Sequence, residues 1–168
     1  MYKENDYLVY RKDVCQVKEV KKKFDKDYYV LIPVNDKSLV IEIPVDNKMG
    51  FIRDVMSREE AENLIQKIPE IEPLKNIDDK YIEKTYKELL YNGTIEDLIK
   101  IIKTSYIRND TRTKNNKRIS DKDKIFFAKA EDYLYTELSV SLNMSFEETK
   151  KYIIRKVEEL IKWKQTLY

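Results

Sequence analysis

The chain contains no histidine, one cysteine, one tryptophan, two glycines and four prolines in 168 residues. Each scarcity excludes something. Without histidine the usual zinc ligand sets cannot be assembled, and a lone Cys15 rules out an internal disulfide. A metal enzyme is not expected, and no cofactor is implied. Nucleophilic catalysis loses its commonest base as well, and Cys15 sits in an apolar run with no activator beside it, so it reads as a small buried strand residue. The only glycines, Gly50 and Gly93, cannot form a glycine-rich phosphate loop. The adjacent acids Glu59-Glu60, Asp78-Asp79 and Glu147-Glu148 fall at or near expected helix starts, where the helix dipole accounts for them without chemistry. No apolar run approaches the ~20 residues that span a bilayer. The opening MYKENDYLVY lacks the charged-then-apolar order of a signal peptide, so a non-enzymatic, cytoplasmic protein with no membrane contact is expected.

Net charge is scarce too: 33 basic against 31 acidic side chains leave +2. Any basic surface must therefore be local. What the chain does have is 42 % hydrophobic residues, enough for a core in one ordinary domain or two small ones.

Short apolar or β-branched runs at residues 7–10, 14–20, 28–34, 39–45 and 51–56 are separated by polar clusters and predict five strands. Pro33 and Pro44 fall inside these runs and must lie at strand ends, edges or bulges, since proline donates nothing to a ladder. KKKFDKD, residues 21–27, reads as a solvated loop, and Asn35-Asp36-Lys37-Ser38 as a hairpin loop. Five strands in so few residues predict a small, strongly bent barrel, because a flat sheet would leave a face exposed.

From Ser57 the period changes to that of helices. Ser57 with Glu60, Thr94 with Asp97, Ser120 with Asp123 and Ser145 with Glu148 each place an acid three residues after a hydroxyl, a helix-start signature. Apolar stripes follow: Ala61, Leu64, Ile65; Ile82, Tyr86, Leu89, Leu90, stopped by Asn92-Gly93; Ile95, Leu98, Ile99, Ile102, Tyr106; Phe127, Ala130, Leu134, Leu138; and Phe146, Thr149, Ile153, Val157, Leu160. The expected class is α+β, a five-stranded barrel over residues 1–56 followed by a bundle of about five helices over residues 57–168. The first helix is expected to give the two halves an apolar seam. A monomer is expected.

Between residues 98 and 129 ten basic side chains face three acidic ones, an excess of seven. Its centre, RNDTRTKNNKR, has no apolar stripe and reads as a loop or frayed helix end. Such a loop either keeps a bundle soluble or neutralises phosphates, which asks only for clustered Lys and Arg on one face. Arg118, Lys122 and Lys124 are its candidates. Lys80, Lys84 and Lys87 share a face of the preceding helix, with Glu83 and Glu88 near enough to offset part of that charge.

IEIPVDN followed by GFIRDVMSREEAENLI, then YNGTIEDLIKIIK and ISDKDKIFFAKAEDYLYTELSVSLNMSFEE, together resemble the CarD/CdnL family of bacterial transcription regulators. The resemblance runs over residues 7–160, and its most specific parts are the IPVDN strand end, the step from Gly50 to Arg53, and the helix over residues 120–134. It implies a Tudor-like barrel, shared with the transcription-repair coupling factor, that docks on the RNA polymerase β subunit. It further implies a helical domain that reaches promoter DNA at the upstream edge of the bubble, without reading sequence, and modulates the open complex. The positions matching the family's two polymerase-binding basic residues are Lys23, which keeps the charge, and Glu42, which reverses it; Ile41 and Ile43 flank Glu42 in the same strand. The family's wedge tryptophan falls at or next to Asp79, where a carboxylate would repel phosphate, and Tyr81 is the candidate replacement, with Lys80 and Lys84 beside it. Trp163, far away in the last helix, is expected to pack or snorkel there. Asn5 stands where relatives carry glycine and tolerates the left-handed backbone that glycine would supply.

Overall fold

A computed structural model describes residues 1–166. The chain is α+β. Five antiparallel strands come first: β1 Tyr7–Tyr10, β2 Asp13–Lys23, β3 Lys26–Pro33, β4 Ile41–Pro44 and β5 Ile52–Asp54. They are followed by α1 Arg58–Lys67, a 3-10 turn Ile68–Glu70, α2 Asp79–Asn92, α3 Ile95–Lys114, α4 Asp121–Leu142 and α5 Phe146–Thr166.

The strand order is β4-β3-β2-β1-β5, and among the described residues β4 and β5 do not pair, so the sheet is open where a closed barrel was expected. It is nevertheless bent. Ile43 on one edge and Ile52 on the other share one apolar cluster with Leu8, Cys15, Val17, Tyr29 and Leu31. Tyr2 takes over part of the closure: its ring meets Tyr29 edge-on, its backbone N–H donates to the Tyr29 hydroxyl at 3.0 Å, and its own hydroxyl donates to Asp54 at 2.6 Å. Tyr2 thereby ties β3 to β5 across the gap. Pro33 and Pro44 end β3 and the edge strand β4, as proline requires. Cys15 is fully buried, and burial pushes its thiol pKa up to about 12.

The expected loop at residues 21–27 is instead the end of a long hairpin: β2 runs to Lys23, β3 starts at Lys26, and only Phe24 and Asp25 turn, both with positive φ (48° and 59°). Elsewhere the left-handed positions of this glycine-poor chain fall mostly to asparagine, with Asn5, Asn47, Asn76, Asn116 and Asn143 at positive φ beside Arg11 and Gly50.

The helix starts follow the caps. Ser57 and Glu60 form a reciprocal capping box, Thr94 forms one with Asp97, and Ser145 and Glu148 exchange bonds of 2.9 and 3.2 Å. α2, which had no hydroxyl cap to announce it, is capped by Asp78. Gly93 separates α2 from α3 because a Cβ there would lie 2.4 Å from the Leu89 carbonyl oxygen. The phase of two stripes shifts: Phe126 takes the core place expected of Phe127, and Tyr106 is exposed while Ile101, Thr104 and Ser105 face inward.

Capping makes the stability of these helices pH-dependent. Bonds from the Ser57 and Ser145 backbone N–H groups hold the Glu60 and Glu148 carboxyls below their usual value of 4.5. A depressed folded-state pKa means stability fully present above pH 4.5 and lost as the pH falls below it. Thermal midpoints measured between pH 6 and pH 3 should therefore fall less steeply in Glu60→Gln/Glu148→Gln, which keeps the cap acceptors and removes their titration. An unchanged slope would mean that these caps do not contribute.

Candidate functional site

The two halves do not meet through an apolar seam on α1. Ala61, Leu64 and Ile65 are buried in the helical core with Ile82, Tyr86, Leu98, Leu134 and Leu138, separate from the sheet cluster. The joint is polar and runs through α4. Arg53 on β5 makes a bidentate pair with Glu137, at 2.6 and 2.8 Å, and the Met56 N–H donates to the same carboxylate at 3.1 Å. Asn35 donates to Asp132 and Thr136 at 2.9 and 2.6 Å, and Lys12 donates to the Gly93 carbonyl. Partnership with Glu137 holds the Arg53 pKa above its ordinary value. The step from Gly50 to Arg53, singled out in the sequence, thus ends on the residue that locks sheet to bundle.

The two edges of the sheet differ. On β5 the outward backbone groups of Ile52 are taken by the Asn47 side chain, whose Oδ1 accepts from the Ile52 N–H at 3.0 Å and whose Nδ2 donates to the Ile52 carbonyl at 2.9 Å. The last residue of IPVDN therefore seals that edge. On β4 nothing equivalent occurs among the described residues. Val45 N–H donates to Asp27 on the β3 side, and the alternation of an antiparallel ladder then turns Ile41 and Ile43 inward and leaves the backbone groups of Glu42 facing out. Ile41, Glu42 and Ile43 lie on the one open edge, with Leu39 and Val40 exposed just before it.

Glu42 is not an isolated reversed charge. Its two carboxylate oxygens accept from Lys21 and Lys23, which reach it across β3 from the same face. Those bonds draw the Glu42 carboxyl below its usual range and raise Lys23. The cluster keeps one net positive charge, delivered from β2 rather than β4.

At the far end of the bundle, ion pairs draw together the N-terminus of α2, the C-terminal half of α3 and the N-terminus of α4. Of the two expectations for this stretch, a loop or a frayed helix end, the helix end holds for RNDTRTK, the last two turns of α3, and its arginines pin it: Arg108 bonds the fully buried Asp123 through Nε at 3.1 Å and Asp79 through Nη2 at 2.8 Å, and Arg112 reaches Asp79 at 3.3 Å. Asp123 also accepts from the Tyr86 hydroxyl at 2.8 Å. Asp79 is drawn below its usual pKa chiefly by the Arg108 bond, so the carboxylate at the wedge position is offset by two arginines rather than bare.

Lys80, Lys84 and Lys87 lie on the exposed face of α2, opposite Ile82, Tyr86 and Leu90. The Lys80 ammonium sits 4.6 Å from the Tyr81 ring centre, and Tyr81 is 54 % exposed. Glu83 bridges Lys87 on its own helix, at 2.9 Å, to Lys122 on α4, at 3.0 Å, and Arg118 pairs with Asp121 at 3.2 Å. Lys84 and Lys124 make no ion pair among the described residues. Glu83 thus joins candidates on two helices, but residues 78–88 and 108–124 carry ten basic against seven acidic side chains, an excess of three. Two lysines of the basic stretch are used elsewhere: Lys100 pairs with Asp97, and Lys103 donates to the carbonyls of Ile68 and Ile71. Trp163, expected to pack or snorkel on the last helix, is 62 % exposed. No helix among the described residues is long and apolar enough to cross a membrane. No protein-family model and no curated protein matches this chain.

Proposed function

We propose that this protein is a non-enzymatic, cytoplasmic transcription regulator of the CarD/CdnL type, with a Tudor-like sheet that docks on the RNA polymerase β subunit and a helical domain that faces promoter DNA near the bubble edge. The observation that carries the reading is the separation of the two candidate residue sets into two exposed surfaces, one on each half of a chain locked by Arg53 and Glu137. The open β4 edge supplies backbone groups for sheet extension by a partner strand, with Ile41, Glu42 and Ile43 on it and Lys23 beside it. The bundle end presents Tyr81 for contact with a base and Lys80, Lys84, Lys87, Arg118, Lys122 and Lys124 for phosphates.

A second reading has its own support. With Glu83 and Asp79 offsetting so much of the charge, the bundle end also suits a module that docks protein without touching DNA. Two measurements test and separate them. Purified protein should bind the polymerase β lobe, and its affinity for forked promoter DNA should fall as salt rises. Lys84→Gln/Lys124→Gln, which removes two unpaired charges, should reduce the slope of log affinity against log salt by about two. Lys87→Gln/Lys122→Gln should change it less, since Glu83 already offsets one of those two charges. Polymerase binding without salt-dependent DNA binding would select the second reading, and failure to bind polymerase would remove the first and leave a module that docks another protein.

A further inference from the structure

The hairpin of β2 and β3 ends on an aromatic residue in the wrong conformation for an aromatic. Phe24 has φ 48°, a left-handed backbone that a bulky side chain adopts only at a cost in free energy, and its turn partner Asp25 has φ 59°. Two-residue hairpin turns of this kind favour asparagine or glycine at the first position. Phe24 gains nothing in return from the fold, because it is 94 % exposed, the most exposed of the large apolar side chains. An aromatic ring that is both strained and fully presented at the tip of a two-stranded arm is placed for a contact outside the chain.

We infer that Phe24 is the aromatic anchor of the docking surface on the sheet, seated in an apolar pocket of the protein that the β4 edge recruits. This rests on the polymerase reading and names the residue that supplies most of the affinity. Tip, triad and edge are continuous: Phe24 follows directly on Lys23, Lys23 is bridged to Glu42, and Glu42 is the outward-facing residue of the open edge. A partner strand laid along β4 would therefore approach the tip as well.

Charge selects the class of occupant. Around Phe24, Lys21, Lys22, Lys23 and Lys26 stand against Asp25, Asp27 and Glu42, an excess of one, and Lys21 and Lys23 are both bonded to Glu42. A near-neutral tip flanked by carboxylates does not suit a phosphate surface, whether nucleic acid or anionic lipid, which would call for an uncompensated cationic rim. It suits a protein pocket, where a buried aromatic ringed by balanced polar contacts is the common form of a binding hot spot.

The turn chemistry supplies a variant that separates folding from docking. Phe24→Asn removes the ring and places at position 24 a residue that prefers the observed backbone, so its thermal midpoint should equal or exceed that of wild type. Its affinity for RNA polymerase core, measured with the full chain, should fall by about 30-fold or more, while Phe24→Leu should retain most of the binding. If wild type binds and Phe24→Asn binds within a few-fold of it, the anchor is overturned and the polymerase reading stands. If wild type does not bind polymerase at all, both fall together. If Phe24→Asn keeps polymerase affinity but loses binding to forked DNA or to anionic vesicles, the pocket is replaced by a base-stacking or membrane role.

Discussion

Arg53→Ala is expected to lower the unfolding free energy by about 3–5 kcal/mol, the largest effect of any single exposed-residue substitution in this chain. The reason lies in its partner. The Glu137 side chain is only 2 % exposed, and it accepts two bonds from the guanidinium and one from the Met56 N–H. Removing Arg53 leaves that carboxylate buried with a single donor, far from the water that would otherwise solvate it. Denaturant unfolding should register the loss as a shift of midpoint at nearly constant slope, and thermal unfolding as a drop of roughly 10 °C. Arg53→Met combined with Glu137→Leu should recover most of it, because an apolar pair of similar volume carries no desolvation cost. A loss below about 1 kcal/mol for Arg53→Ala would mean that the pair behaves as an ordinary surface bridge and that the joint is held by other contacts.

At the opposite end of the bundle, Asp123→Ala should cost a comparable amount, about 3–5 kcal/mol. Asp123 is fully buried, accepts from Tyr86 and Arg108, and takes part in the cap that starts α4 through its N–H bond to Ser120. Its loss leaves a phenol and a guanidinium without their shared acceptor. Asp123→Asn, which keeps one acceptor for Tyr86 and discards the charge opposite Arg108, should fall between wild type and alanine. The same series measured against forked DNA reads the second consequence. Arg108 and Arg112 hold Asp79 and with it the first turn of α2, so loosening the network should displace Lys80, Tyr81 and Lys84 together. Stability loss without any change in DNA affinity would separate this network from the proposed DNA-facing surface.

Most strands and helices were legible because local chemistry and tertiary packing agree on them. The run at residues 7–10 became β1 without adjustment, and the serine and threonine caps marked four of five helix starts. What stayed hidden depended on partners distant in sequence. Residues 108–114 have no apolar stripe, yet are helical because Arg108 and Arg112, one turn apart, reach acids on two other elements. The turn carries Phe24 where a tight hairpin favours asparagine or glycine, and no glycine follows Asp25, so a continuous ribbon read as a loop. The α1 stripe was correctly phased and wrongly addressed: periodicity says which face is buried and not against what. Lys80, Lys84 and Lys87 share an exposed face as their spacing suggested, but nothing local showed that one carboxylate, Glu83, would serve lysines on two helices. Nor could the sequence reveal that Glu42 would be held between Lys21 and Lys23.

The open edge strand also bears on how this protein avoids recognising itself. β4 is four residues long, ends on a proline that offers no donor, and carries a charged residue at its outward position. Such an edge is too short and too interrupted to template an identical copy, while the opposite edge, the three-residue β5, is shut by the Asn47 amide. A partner must bring its own complementary strand and side chains to add to this sheet, so selectivity against ribbon-like self-assembly is built into the same four residues that remain available for docking.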